Sequence, residues 1–170
     1  MSYDQHRRRG AAVAARVAVV TLSDTRTPDT DTSGQRIREL LVAGGHTVAD
    51  HRLLPDDAGE FAAALDELLS RSDVDAVITT GGTGISARDA AVDVVARRLD
   101  LPMPGFGELF RMLSWEQVGS GAMLSRAVGG VAKGKPLFAL PGSTKAVELG
   151  MTKLILPELG HLIGELRKSH

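Results

Sequence analysis

Short apolar runs rich in β-branched residues alternate along this chain with stretches whose apolar residues have helical spacing. The clearest runs are Val17–Leu22, Ala76–Thr80 and Leu137–Leu140. Runs of this kind are typical of buried strands, and buried strands that alternate with amphipathic helices build a mostly parallel sheet. The pattern therefore predicts an α/β sandwich around a mostly parallel sheet.

Amphipathic spacing predicts the helices that separate the strands. Their apolar stripes are Ile37, Leu40 and Leu41; Phe61, Leu65, Leu68 and Leu69; Val92, Val95 and Leu99; and Phe106, Leu109, Phe110 and Leu113. Thr32 or Ser33 is expected to cap the first of these helices, and Gly44–Gly45 to end it. Asp89 is expected to cap the third helix.

Three other stretches give weaker signals. Thr47–Leu54 alternates weakly and is predicted to be a strand nearer an edge of the sheet. Two helices, split by Pro157, are expected at the C-terminus. Ser120–Gly130 is rich in small residues and has no clear pattern.

Composition bounds the class of protein. The 170 residues are 43% hydrophobic and 24% charged, which predicts a single globular domain over 15–170 after a mobile basic tail at 1–14. A net charge of −1 and 4% aromatic residues argue against a nucleic-acid partner. The chain has no cysteine, so disulfides, thiolate zinc sites and cysteine nucleophiles are excluded.

The N-terminal segment argues against export and against a membrane partner. Three arginines at 7–9 precede apolar residues, but Arg16 interrupts the apolar stretch before it reaches the length of a signal sequence. No run approaches the roughly 18 apolar residues of a membrane helix. A cytoplasmic location is therefore expected.

Three junctions between a strand and a loop are expected at one edge of the sheet: Thr21–Asp24, Thr79–Gly84 and Pro141–Thr144. Ligands bind outside the carboxyl ends of parallel strands, and glycine-rich loops let backbone amides approach an anion. The loops together favour a phosphate site. Taken singly, the Gly81–Gly84 run fits a tight turn equally well, and the Pro141–Gly142 pair favours a turn.

Two carboxylates have the right context for metal or catalytic chemistry. Asp56 and Asp89 each come just before a predicted helix, so each could cap that helix or hold Mg²⁺ through oxygen. Asp24, Asp29 and Asp31 are interpreted as part of a polar loop. The five histidines are scattered without the spacing of metal ligands.

Longer motifs carry a resemblance to a known family. The segments are VVTLSDTRTPDTDTSGQRI (19–37), LPDD (54–57), VITTGGTGISARD (77–89), MPGFGELFRMLSWEQVGSGAMLSRAVGG (103–130) and LPGSTKAV (140–147). In this order they resemble the MoaB/MogA family of molybdenum cofactor biosynthesis proteins, and its MoaB branch most closely.

The resemblance implies a three-layer α/β/α sandwich that assembles as a homotrimer, or as a hexamer of two trimers. It implies binding of molybdopterin, a pterin with a dithiolene and a terminal phosphate. It also implies an adenylyltransferase that joins molybdopterin to AMP from Mg-ATP and releases pyrophosphate.

The family motifs assign roles to individual positions. Asp56 and Asp89 match the catalytic carboxylates and are the expected contacts of Mg²⁺. The residues implied to bind substrate or nucleotide are Ser23, Asp24, Thr80, Gly81, Gly82, Thr83, Gly84, Ser125, Arg126, Pro141, Gly142 and Ser143.

One departure from the family pattern favours an alternative. The family usually continues Arg-Asp with a hydrophobic residue and then Thr-Pro, whereas Ala91 and Val92 stand in those two places here. A helix is still expected there. The alternative function is a non-catalytic molybdopterin-binding, carrier or scaffold protein. A relationship to competence-damage-type domains is less favoured, because the acidic pair after their glycine loop is missing.

Overall fold

The computed structural model describes residues 2, 3, 5 and 13–168, so most of the predicted tail at 1–14 lies outside the described residues. The strands are β1 (Arg16–Leu22), β2 (Thr47–Leu54), β3 (Ala76–Thr80), β4 (Leu101–Pro102), β5 (Val128–Ala132) and β6 (Lys135–Leu140). The helices are α1 (Thr32–Ala43), α2 (Ala58–Ser70), α3 (Ala91–Ala96), α4 (Pro104–Val118), α5 (Thr144–Gly150) and α6 (Leu156–Lys168). A 3₁₀ segment (Gly119–Leu124) follows α4, and a π-helical segment (Met151–Ile155) joins α5 to α6.

The strands form one sheet in the order β2-β1-β3-β6-β5-β4. β2, β1, β3 and β6 are parallel, while β5 and β4 run antiparallel to their neighbours. The last pairs in register are Thr21 with Thr80 and Thr80 with Leu140. The loops after β1, β3 and β6 therefore leave the sheet side by side, as predicted.

Helices cover both faces of the sheet. One apolar cluster joins the sheet to α1, α4, α5 and α6, with Ile37 and Phe110 fully buried in it. The other joins the opposite face to α2 and α3, with Phe61 and Val95 buried. The predicted three-layer α/β/α sandwich around a mostly parallel sheet is confirmed.

The helix caps differ from those expected. Asp31, rather than Thr32 or Ser33, caps α1 by accepting a hydrogen bond from the amide of Gly34. Asp57 caps α2 in the same way. The predicted cap at Asp89 is wrong: α3 begins after Ala90 without any side-chain cap.

Two further expectations from the sequence are corrected. Pro157 does not split two C-terminal helices, because a π-helical segment leads directly into α6 just before this residue. The wider turn of the π-helix accommodates a proline, which has no N–H to donate to the preceding turn. The stretch without a clear pattern, Ser120–Gly130, ends inside β5. A Cβ at Gly129 would lie 2.5 Å from the Phe138 ring, so the close packing of this strand requires glycine where a strand pattern would need a side chain.

Among the described residues, no helix combines the length and apolar character needed to cross a bilayer.

Candidate active site

A cleft of about 470 Å³ opens where the loops after β1, β3 and β6 meet. It also reaches the segment before β5. Its lining residues are Thr21, Leu22, Ser23, Arg26, Gly81, Gly82, Thr83, Gly84, Asp89, Leu124, Ser125, Pro141 and Gly142. The three junctions singled out in the sequence therefore share one site.

The loop after β3 needs glycine at two positions. Gly81 and Gly82 have φ angles of 98° and 65°, and a Cβ on Gly81 would lie 2.3 Å from the carbonyl oxygen of Leu22. The amides of Gly82, Thr83 and Gly84 have no hydrogen-bond partner in the described part of the chain. These three consecutive donors are available to an anion in the cleft.

The turn after β6 is tied to its neighbours through main-chain oxygens. The Thr80 hydroxyl donates to the carbonyl of Pro141 at 2.8 Å, and the Ser33 hydroxyl donates to that of Gly142 at 2.6 Å. Ser143 caps α5 by accepting from the amide of Ala146 at 3.2 Å. The hydroxyls of Thr80 and Ser143, expected at the ligand, therefore hold the loops in place.

Arg26 is a cleft residue that the sequence analysis missed. Its guanidinium donates from Nη1 to Ser33 Oγ at 2.8 Å and from Nη2 to the carbonyl of Gly142 at 3.0 Å. Ser23 Oγ accepts a hydrogen bond from the amide of Arg26 at 3.1 Å. The only signal in the sequence was that Arg26 lies in the loop after a buried strand. An arginine in a polar loop has no local pattern that distinguishes a ligand-binding residue from a solvated one.

Asp31 belongs to a buried network and not simply to a polar loop, so that interpretation is wrong. Its carboxylate accepts hydrogen bonds from the Thr21 hydroxyl at 2.8 Å and the Gly34 amide at 2.9 Å, and lies 3.1 Å from His51 Nε2. Burial alone would raise the pKa of Asp31, but the bonds from Gly34, Thr21 and His51 lower it below its usual range. Asp31 also lies 3.5 Å from Arg26 Nη1.

Three carboxylates gather where the loops after β1, β2 and β3 approach one another. The amide of Asp56 donates to Asp24 Oδ1 at 3.0 Å, and the other oxygen of Asp24 lies 2.6 Å from Arg88 Nη2. Burial, and then the negative charges of Asp24 and Asp89, raise the pKa of Asp56, while Arg88 opposes them. The site therefore disfavours a third negative charge and favours a cation.

The two expected catalytic residues differ in their exposure to the cleft. Asp89 lines it, and its carboxylate accepts a hydrogen bond from the amide of Ser86 at 2.8 Å. Asp56 lies in a small recess beside it, with Leu22 and Arg88. Among the described residues, no three Asp, Glu or His side chains are arranged to hold a metal ion. A magnesium ion here would need oxygens from a ligand as well.

Arg126 serves the loop after β3 and does not line the cleft. Its guanidinium donates to the carbonyls of Gly84 at 3.1 Å and Asp89 at 2.6 Å, and its amide donates to the carbonyl of Thr83 at 3.1 Å. Asp93 lies 3.4 Å from the same guanidinium. The residue therefore connects both ends of the segment that carries Asp89.

A second cleft of about 710 Å³ adjoins the first and shares Ser125 and Pro141 with it. It lies between α4, the 3₁₀ segment and the start of α5, and Phe110 forms part of its wall. The site thus has room for two ligands, one on each side of Ser125 and Pro141.

A family model for a probable molybdopterin binding domain matches residues 18–161, which include every loop of the cleft. The chain belongs to this family. A similar member is the molybdenum cofactor biosynthesis protein B of Halalkalibacterium halodurans, 48% identical over 99% of each chain. This similarity places the chain in the MoaB branch, as the sequence motifs predicted.

Solved structures of the molybdopterin-binding family have the same fold. A crystal structure of a molybdenum cofactor biosynthesis protein B is 49% identical, with a TM-score of 0.89, over 92% of this chain and 98% of that one. The tungsten cofactor synthesizing protein MoaB from Pyrococcus furiosus is 34% identical, with a TM-score of 0.81, over 91% and 98%.

Proposed function

We propose that this chain acts in molybdenum cofactor biosynthesis as a molybdopterin adenylyltransferase. An oxygen of the terminal phosphate of molybdopterin attacks the α-phosphorus of ATP. A new P–O bond forms as the bond from the α-phosphorus to its bridging oxygen breaks, and pyrophosphate leaves with that oxygen. The products are adenylylated molybdopterin and pyrophosphate.

The observation that carries the proposal is a row of free amides in the cleft next to a cluster of crowded carboxylates, of which Asp89 lines the cleft. The amides of Gly82, Thr83 and Gly84 are available to a phosphate. The raised pKa of Asp56 beside Asp24 and Asp89 indicates a place where a cation is favoured. Nucleotidyl transfer requires positioning and neutralisation of phosphates rather than a covalent nucleophile, and this arrangement suits that requirement.

The carboxylates suit a magnesium ion that arrives with the nucleotide. Asp56 and Asp89 would contribute one or two of its oxygens, and bound Mg²⁺ supplies positive charge at the triphosphate. Arg88 pairs with Asp24 while its side chain is 72% exposed, so its guanidinium is accessible to nucleotide phosphates. The amides after Gly81 orient the phosphate on which charge develops.

We also propose that the chain works as a homotrimer or as a hexamer of two trimers. Met112, Trp115 and Val118 on α4, and Met123 in the 3₁₀ segment, are each more than 60% exposed. An apolar surface of this kind, next to the second cleft, suits contact with a second copy of the chain. The cytoplasmic location stays a prediction from the sequence.

The decisive experiment incubates the purified chain with molybdopterin and Mg-ATP and detects adenylylated molybdopterin by mass spectrometry. Product above a control without protein is expected, with one pyrophosphate released per product. Asp89→Asn is the matched variant, since an amide oxygen can still accept from Ser86. Molybdopterin binding without product would instead support the carrier function, for which the replaced Thr-Pro of the family motif is the favouring observation.

A further inference from the structure

Arg26 and Asp89 are the one cation and the one anion among the described residues that line the first cleft. They come from opposite layers of the sandwich. Arg26 contacts Ser33 of α1 and the turn before α5, on the face that packs α1, α4, α5 and α6. Asp89 precedes α3, and Asp56 precedes α2, on the other face. The cleft therefore has a positive side and a negative side.

The guanidinium of Arg26 retains donors for a ligand. Two of its five N–H groups are used, one by Ser33 Oγ and one by the carbonyl of Gly142. Asp31 Oδ1 lies 3.5 Å from Nη1 of this guanidinium. The same carboxylate is also hydrogen-bonded to Thr21, Gly34 and His51. The remaining three N–H groups make no hydrogen bond in the part of the chain that the structure describes, although Nη1 also forms an ion pair with Asp31.

The position of Arg26 is already set before a ligand binds. Ser33 itself donates to the carbonyl of Gly142. The guanidinium, the Ser33 hydroxyl and the Gly142 carbonyl therefore form a closed ring of three hydrogen bonds. The side chain is 27% exposed. A rigid, partly desolvated arginine with spare donors is well suited to a phosphate, because its forked N–H groups match two phosphate oxygens and little entropy is lost on binding.

We infer that Arg26 binds the terminal phosphate monoester of the pterin substrate and so fixes which way round the two substrates lie in the cleft. This inference rests on the proposed function and adds a residue to it. A nucleoside triphosphate that carries Mg²⁺ brings positive charge with the metal ion, so we place this substrate beside Asp56 and Asp89. A phosphate monoester without a metal needs a cation from the protein, and Arg26 supplies it.

The test compares a stable oxidised derivative of molybdopterin with and without its terminal phosphate, titrated against the full chain by fluorescence. The wild-type chain is expected to prefer the phosphorylated form. Arg26→Gln is expected to reduce that preference about 10-fold or more, since a charge-assisted hydrogen bond is lost. Arg26→Lys is expected to retain part of the preference because it retains the charge.

The matched control is Arg36→Gln on α1, whose partly exposed guanidinium pairs with Glu39 and Glu148 outside the cleft. It should leave the preference unchanged. Circular dichroism and Tm exclude unfolding as the cause. An equal loss of both pterin forms in Arg26→Gln would mean that Arg26 only holds the loops and would overturn the inference, as would weaker Mg-ATP binding with the pterin preference intact.

The proposed function can fail separately. A wild-type chain that prefers the phosphorylated pterin, and loses that preference in Arg26→Gln, supports the inference even if no adenylylated product forms. A wild-type chain that binds neither pterin form would overturn the inference and the proposed function together.

Discussion

The guanidinium of Arg126 donates a hydrogen bond of 2.6 Å to the backbone carbonyl of Asp89, across 37 positions of sequence. The same group reaches the carbonyl of Gly84, so one side chain holds the loop at both ends. The resemblance implies that Arg126 binds the pterin, and that role stays a prediction. Its contacts in the structure are with the loop, and through them it fixes the backbone that carries the Asp89 carboxylate.

Arg126→Gln is expected to lower turnover about 10- to 100-fold, because Asp89 loses its fixed position. Molybdopterin affinity should stay within about twofold, since nearly equal binding is expected when a group acts on the transition state alone. Steady-state kinetics and pterin titration measure the two effects. Arg97→Gln, an exposed arginine just after α3, is the control. A large loss of pterin affinity would return Arg126 to the binding site.

Asp56 and Asp57 are neighbours with different expected roles. Asp56→Asn should lower turnover about 100-fold and leave Tm unchanged or higher, because burial and two nearby carboxylates make its ionised form unfavourable. Asp57→Ala should cost about 1 kcal/mol of stability by removing the α2 cap, with turnover at saturating substrates unchanged. Denaturant unfolding and product assays separate these outcomes, and similar effects from both variants would contradict the assignment.

Thr79 and Thr80 form a second matched pair, on β3. The Thr79 hydroxyl is buried without a hydrogen-bond partner among the described residues. Thr79→Val should therefore stabilise the fold by about 1 kcal/mol. Thr80→Val should destabilise it by about 1 kcal/mol or more, because the carbonyl of Pro141 loses its donor. Urea unfolding gives both values, and a lower midpoint for Thr79→Val would indicate an unseen partner for its hydroxyl.

The lowered pKa of Asp75 predicts how the stability of the fold changes at acid pH. Burial alone would raise the pKa of Asp75, but hydrogen bonds from the side chain and amide of Arg16 and the side chain of Arg167 lower it from 3.8 to about 2. A folded-state pKa below the unfolded value stabilises the fold at neutral pH by about 2 kcal/mol. That contribution is lost as the pH falls from about 4 to about 2.

Asp75→Asn should therefore be less stable at pH 7 and show a flatter loss of stability in acid, as measured by urea unfolding at several pH values. The control is Asp73→Asn, whose ion pair with Arg71 leaves the carboxylate 57% exposed and should matter little. An unchanged acid profile for Asp75→Asn would contradict the role of the two ion pairs that Asp75 makes with Arg16 and Arg167.

Trp115 tests the proposed assembly. Its side chain is 63% exposed on α4, so Trp115→Lys should leave the fold intact while weakening contact between copies. Light scattering should show a mass near that of a trimer or hexamer for the wild-type chain and a smaller mass for the variant. Val42→Lys changes an equally exposed apolar residue on α1 and should have no effect. A monomeric wild-type chain would refute the proposed assembly.

The alternation of apolar runs was enough to predict β1, β3 and β6 and the helices between them, because burial on two faces imposes a local pattern. It also predicted that three loops share one edge, since parallel strands end on the same side of a sheet. Near that edge, the resemblance could point to Asp56 and Asp89 because they stand in extended motifs. β5 escaped prediction because packing against Phe138 requires glycine there and leaves no pattern.

Only the tertiary structure decided what the polar residues of the loops do. Asp31, Arg26 and Arg126 are locally indistinguishable from solvated charges, since nothing in their neighbours along the chain marks burial. Their partners lie 10, 116 and 37 positions away, at Thr21, Gly142 and Asp89. Such contacts depend on β3 lying between β1 and β6, and the order of strands in a sheet is set by long-range packing rather than by local periodicity.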